Sequence, residues 1–174
     1  MFRSKLLLYF ILATSLVTLL NPPARADDEI TSLNIRAAIA ESLSQYAYRW
    51  DSKNTQSFTD LFTENAVIER WQKVALIVGS RLKGKASISE YAKNAHTGRL
   101  ADRQTRHHFS NLVFLEISDQ NVVTENMALI THQTAADAVA RISSSGIYRI
   151  NWEKSGDEWQ IAKRALFVDS PPSK

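Results

Sequence analysis

Two histidines, His107 and His132, are the residues of this chain whose type and spacing best suit acid/base chemistry. Each sits in a long stretch of strand-forming residues, "HHFSNLVFLEIS" and "NVVTENMALITHQT", with Asp119-Gln120 as a two-residue turn between them. A hairpin closed at that turn pairs Ser118 with Asn121 and puts His107 directly opposite His132. Opposed residues hold their Cβ atoms about 4.5–5.5 Å apart, so both imidazoles could address one small molecule. Imidazole titrates near neutral pH and burial lowers its pKa, which suits a pair flanked by apolar residues to proton transfer. A pair of hydrogen-bonded structural histidines at the end of a sheet fits the same pattern, and a bulge would spoil the register.

The register also assigns the hairpin's two faces. His107, Phe109, Asn111, Val113, Leu115 and Ile117 share one face with His132, Ile130, Ala128, Asn126, Thr124 and Val122, and it carries no acidic or basic residue besides the histidines. The other face carries His108, Leu112, Phe114, Glu116, Glu125 and Met127, and its two carboxylates place it nearer water or a subunit partner. His108 is expected to be solvated or interfacial there, and His96 to be a surface residue or dipole partner near the end of a helix. No H-x-x-x-H or H-x-E spacing occurs, so no metal site is expected.

The elements that must position these residues follow from hydrophobic spacing. Ile35, Ile39, Leu43, Tyr46 and Trp50 form the inner stripe of an amphipathic helix over about residues 30–51. A short second helix follows, with Phe58, Leu61 and Phe62 on one side. "AVIERWQ" and "ALIVGSRL" predict two short strands, and Ser87-Ile88-Ser89-Glu90 has the capping-box pattern of a third helix. From about residue 104 the chain becomes four long strands with turn signals between them. Helices first and an antiparallel meander last predict an α+β fold with helices packed on one face of a curved sheet.

Met1 to Ala26 has the make-up of a secretory leader: Arg3 and Lys5, an apolar stretch from Leu6 to Leu20, and an Ala24-Arg25-Ala26 cleavage site. The apolar stretch is shorter than the ~20 residues a spanning helix needs, so export to a secreted or periplasmic location is favoured over a retained anchor. No stable membrane insertion is expected after cleavage. The leader holds Arg3, Lys5 and Arg25 and no acidic residue, so the 21 Lys+Arg of the whole chain become 18 against 18 Asp+Glu. The mature chain is near neutral, which argues against a nucleic-acid partner. It has 148 of the 174 residues, enough for one domain with a substantial core, and no cysteine for a disulfide or thiol chemistry.

The order of elements, with "YAYRWDSKNTQSFTDLFTENAVIE" leading and "GIYRINWEKSGDEWQIAKRALFVD" closing, resembles the SnoaL-like branch of the nuclear transport factor two-like superfamily over essentially residues 30–169. The resemblance implies a cone-shaped barrel in which a strongly curved antiparallel sheet wraps around N-terminal helices and encloses an apolar pocket. The strongest local likeness is to scytalone dehydratase, on Trp50-Asp51-Ser52-Lys53, His107 and His132. Carried over, it implies that Asp51 orients His132 and that His107 is the general acid/base. Asn111, at the family's usual interval, favours His107 over His108. The implied substrate-binding set is Tyr46, Trp50, Phe109, Asn111 and Tyr148, with no cofactor.

Two departures stand beside the likeness. Scytalone dehydratase has tyrosines where Trp50 stands and in the region of Glu69-Arg70-Trp71, and these hold a water that polarises the substrate. From its own helix geometry Asp51 falls about 120° from the apolar stripe, as for a turn residue, and Arg164 is expected at the surface, with an anion contact at the pocket mouth as the alternative. Three classes of function stay open: a cofactor-independent lyase or isomerase, a non-catalytic site for a small apolar or carbonyl-containing ligand, and an interaction module. A homodimer through the outer sheet face, around Leu112, Phe114 and Met127, is compatible with all three.

Overall fold

A computed structural model describes residues 24–169. The proposed leader falls mostly outside them; only its cleavage site is described, as the start of helix α1 (Ala24–Asp51). The stripe Ile35, Ile39, Leu43, Tyr46 and Trp50 is buried as its spacing predicts. Helix α2 (Thr55–Asp60) is capped by the Asn54 side chain, which accepts from the Ser57 amide. Strand β1 (Phe62–Gln72) follows, then two-residue strands β2 (Ala75–Leu76) and β3 (Leu82–Lys83) in place of one strand over "ALIVGSRL". Helix α3 (Lys85–Thr97) starts two residues ahead of the expected capping box, with Gly84 as its N-cap; the Ser87 hydroxyl instead bonds the Lys83 and Gly84 carbonyls.

Four long strands complete the chain: β4 (Arg103–Ile117), β5 (Asn121–Thr134), β6 (Arg141–Ser155) and β7 (Glu158–Val168). They form the predicted antiparallel meander, and β1 joins β7 in parallel to give the order β2-β1-β7-β6-β5-β4, with β3 also on β1. The α+β class is as expected. The sheet curves around the helices without closing, so it is an open cone rather than a complete barrel. Gly146 lets β6 approach β7 closely, because a Cβ there would run into the Phe167 carbonyl.

The β4–β5 register departs from the simple hairpin at two bulges. Next to the turn, Ile117 faces Val122 as predicted. One slip between Phe114 and Glu116 puts Phe114 opposite Thr124, and a second between Ser110 and Val113 puts His107 opposite Ile130 and Thr105 opposite His132. Two one-residue slips restore side-chain parity, so His107, Phe109 and His132 keep their inner face. Between the slips parity is reversed: Leu112 and Phe114 pack on the core, while Asn111, Val113 and Leu115 are exposed. Asn111 sits in the second bulge at φ 54°, a conformation asparagine tolerates better than most residues.

Candidate active site

Asp51 is the last residue of α1, and β4 packs against that end of the helix, so the carboxylate is buried despite its angular offset from the stripe. Its two oxygens are held by three donors from one strand. Oδ1 accepts from Thr105 Oγ1 at 2.7 Å and lies 2.8 Å from His107 Nδ1; Oδ2 accepts from the His107 backbone N–H at 2.8 Å. Asp51 therefore orients His107, not His132 as the family likeness implied. Burial pushes the Asp51 carboxyl up, but the bonds and charge of His107, with Thr105, outweigh it and hold it below the ordinary value. An ionised Asp51 makes Nδ1 the protonated nitrogen of the neutral ring, which leaves the Nε2 lone pair free.

The His107 ring forms part of the wall of a cavity of about 140 Å³. Tyr46 and Trp50 from α1, Tyr91 from α3, Ile130 and His132 from β5, and Tyr148 from β6 line it as well. The two histidines are thus diagonal neighbours on one face rather than directly opposed, and both reach the same space. Burial, with the charges of Arg103, Arg99 and His107, pushes the His132 ring down, so it is neutral near pH 7. Tyr148 is sealed at 2% exposure, and burial first, then the nearby Tyr46, pushes its hydroxyl well up, so it remains a phenol able to donate. Tyr46 packs edge-on against Tyr148 at 5.9 Å and His107 at 6.1 Å, and also meets the rings of Phe58, Phe62 and Phe109.

Phe109 does not line the cavity. Its ring stands 5.3 Å from Tyr148 and 5.8 Å from His107 and props both from behind. Asn111 is excluded from the site by the bulge: it lies on the outer side, with Nδ2 3.2 Å from Met127 Sδ. His96 is buried rather than superficial, pairing Nδ1 with Thr55 Oγ1 at 2.8 Å and meeting the Trp50 ring edge-on at 4.6 Å. It fixes the wall behind Trp50 without lining the cavity. His108 is exposed as expected.

Of the lining residues that the reading of the sequence left out or misplaced, three are charged: Arg70, Arg99 and Arg164. Arg164 is 7% exposed, not a surface charge. Its strand alternates Arg164, Leu166, Val168 towards the interior, and β1 alternates Ala66, Ile68, Arg70 in the same way. That period of two was the available signal. Thr105 had the same one, since it alternates with His107 and Phe109.

Comparisons with known proteins agree with this architecture. The SnoaL-like domain matches residues 31–165. No curated protein matches the chain in sequence. Among solved structures, a scytalone dehydratase candidate from Novosphingobium aromaticivorans is 20% identical with a TM-score of 0.70, over 82% of this chain and 89% of that one. A nuclear transport factor two-like protein with a cystatin-like fold from the same organism gives 13% identity and a TM-score of 0.72, over 88% and 94% of the two chains. The beta subunit of a candidate aromatic-ring-hydroxylating dioxygenase, again from N. aromaticivorans, gives 17% and 0.69, over 82% and 94%. At these identities the likeness is one of fold.

Proposed function

The chain belongs to the SnoaL-like domain family, and we propose that it is a cofactor-independent lyase or isomerase that moves a proton beside a carbonyl group. The observation that carries this reading is the buried Asp51–His107 pair at the wall of a cavity that also presents His132 and Tyr148. His107 Nε2 takes the proton from the carbon next to the carbonyl, while Asp51 stabilises the resulting imidazolium through Nδ1–H. The phenol of Tyr148 donates to the carbonyl oxygen as enolate charge develops. In a β-hydroxy compound the C–H electron pair becomes the new C=C bond, and the hydroxyl leaves as water with the proton that His107 took from the carbon, which returns His107 to its neutral form, while the neutral His132 hydrogen-bonds the departing hydroxyl. In an isomerase the proton returns to a different carbon. Tyr46 and Trp50 shape the pocket around the substrate.

The test is proton exchange. Mature protein is incubated in D2O with a panel of small carbonyl and β-hydroxy carbonyl compounds, and deuterium uptake or alkene formation is followed by NMR. At least one compound is expected to react, about 100-fold more slowly with His107→Ala. No reaction across the panel, or an undiminished rate in the variant, would refute the assignment.

Two further properties belong to the same proposal. Export is supported by the leader pattern of residues 1–26. Protein recovered outside the cytoplasm of a Gram-negative host should begin at Asp27, and intracellular protein beginning at Met1 would refute it. A homodimer through the outer sheet face is supported by Met127, Leu129 and Ile147, which are exposed there, rather than by the core-packed Leu112 and Phe114. Light scattering should then give twice the chain mass, falling to one chain mass with Leu129→Lys.

A further inference from the structure

The charge of the cavity is one-sided. Among the described residues Arg70, Arg99 and Arg164 line it, and no carboxylate does. Among the described residues none of the three is ion-paired with an acidic side chain. The two buried carboxylates among the described residues are committed elsewhere. Asp51 is held by Thr105 and His107, and Glu69 by Trp71, Arg81 and Lys163. Arg164 meets neutral groups: it donates to the Glu69 backbone carbonyl at 3.5 Å, its guanidinium carbon lies 5.1 Å over the Tyr148 ring, and the Tyr46 hydroxyl stands beside it. Arg70 Nε and Arg164 Nε are both buried without a hydrogen-bond partner.

A guanidinium cannot shed its charge under burial as a lysine can. An unpaired buried cation with unsatisfied donors is expensive, and such groups are found paired or against a bound anion. We infer that the cavity is a site for a small carboxylate-bearing ligand, with Arg164 as its buried anchor and Arg70 and Arg99 completing the anion contact. The inference rests on the reading of this cavity as the small-molecule site, and narrows the expectation of a small apolar or carbonyl-containing ligand to one that carries a carboxylate. The space, about 140 Å³, suits a body about the size of one ring. Trp50, Tyr91, Leu100, Ile130 and Leu166 supply apolar and aromatic walls for that body. A carboxylate on the substrate also agrees with the proposed chemistry, because it would fix the reacting carbon against His107 without using the histidines for binding.

The probes are benzoate, its neutral isostere benzamide, and inorganic phosphate, titrated calorimetrically into the full-length mature protein in low-chloride buffer. Benzoate is expected to bind at least about tenfold more tightly than benzamide and more tightly than phosphate. Arg164→Gln should weaken benzoate about 100-fold, and Arg99→Gln, at an exposed position that does not threaten folding, about tenfold. Neither change should weaken benzamide comparably. Equal affinity for benzoate and benzamide would overturn the anion site while leaving a small-molecule pocket standing. Binding of neither would overturn both readings. Tighter binding of phosphate than benzoate would overturn the assignment of a carboxylate on an apolar body, and unchanged benzoate affinity in Arg99→Gln and Arg164→Gln would remove the arginines from the site.

Discussion

Asp51→Asn tests the arrangement at its centre. The carboxylate takes three donors, at 2.7, 2.8 and 2.8 Å, and the Asp51 and His107 side chains are only 9% and 6% exposed, so solvent does little to screen or replace these bonds. An asparagine offers one oxygen and one NH2 group in the same place. If its oxygen keeps the His107 backbone N–H, its NH2 faces His107 Nδ1, which must become an acceptor; the ring proton moves to Nε2 and the base in the cavity is lost. If its oxygen keeps Nδ1–H, two N–H groups confront each other at the His107 amide. The first costs the charged character of the bonds and the second leaves buried donors unsatisfied, and either amounts to about 2–3 kcal/mol of stability. The expected outcome is the first, with activity down by on the order of 100- to 10,000-fold, because a base in the wrong tautomer does not accept a proton. Long-range proton–nitrogen NMR of the imidazoles reads the tautomer directly, and urea unfolding reads the stability. Retention of the Nδ1–H tautomer in Asp51→Asn at wild-type stability would refute the reasoning.

Two other outcomes follow from the same structure. The folded-state pKa values of His96 and His132 lie below the unfolded value of 6.5, so below that pH the unfolded chain binds protons that the folded protein resists; stability should fall from about pH 6.5 downward. Asp51 and Glu69, held below 3.8 and 4.5, should add a second loss as the pH drops through their folded values; urea midpoints across pH 3–8 check both, and a flat profile above pH 5 would contradict the histidine part. Gly146→Ala should destabilise by about 1–3 kcal/mol, since the new Cβ meets the Phe167 backbone carbonyl and can be accommodated only by moving β6 from β7; the urea midpoint at constant slope is the measure.

The parts of the fold governed by local periodicity were legible in the sequence. The stripe of α1 and the inward face of β5 needed only a spacing of three to four or of two, and Ile39, Tyr46, Val122, Thr124 and Asn126 are buried accordingly. What was not legible depends on contacts made at a distance. Asp51 is drawn inward by Thr105 and His107, 54 and 56 residues away, which the angular position of a residue on its own helix does not report. Arg164 carries a residue type that belongs to surfaces, and type outweighed the alternation with Leu166 and Val168 that puts it inside.

The bulges of β4 show how a wrong register can still bring His107 and His132 to one cavity. Each inserts one residue, and a single one would have sent His107 to the outer face with His108 in its place. Two restore the parity but displace the partner by two positions, so Thr105 rather than His107 faces His132. The exchange has a chemical consequence. Direct opposition would have set two imidazoles side by side in competition for one carboxylate. The displaced register instead gives Asp51 to His107, with the Thr105 hydroxyl as its second support, and leaves the neutral His132 ring as a diagonal neighbour with no side-chain hydrogen bond among the described residues. One histidine is oriented and tied to a charge while the other stays free to meet a ligand, and an acid/base site needs that inequality more than it needs a symmetric pair.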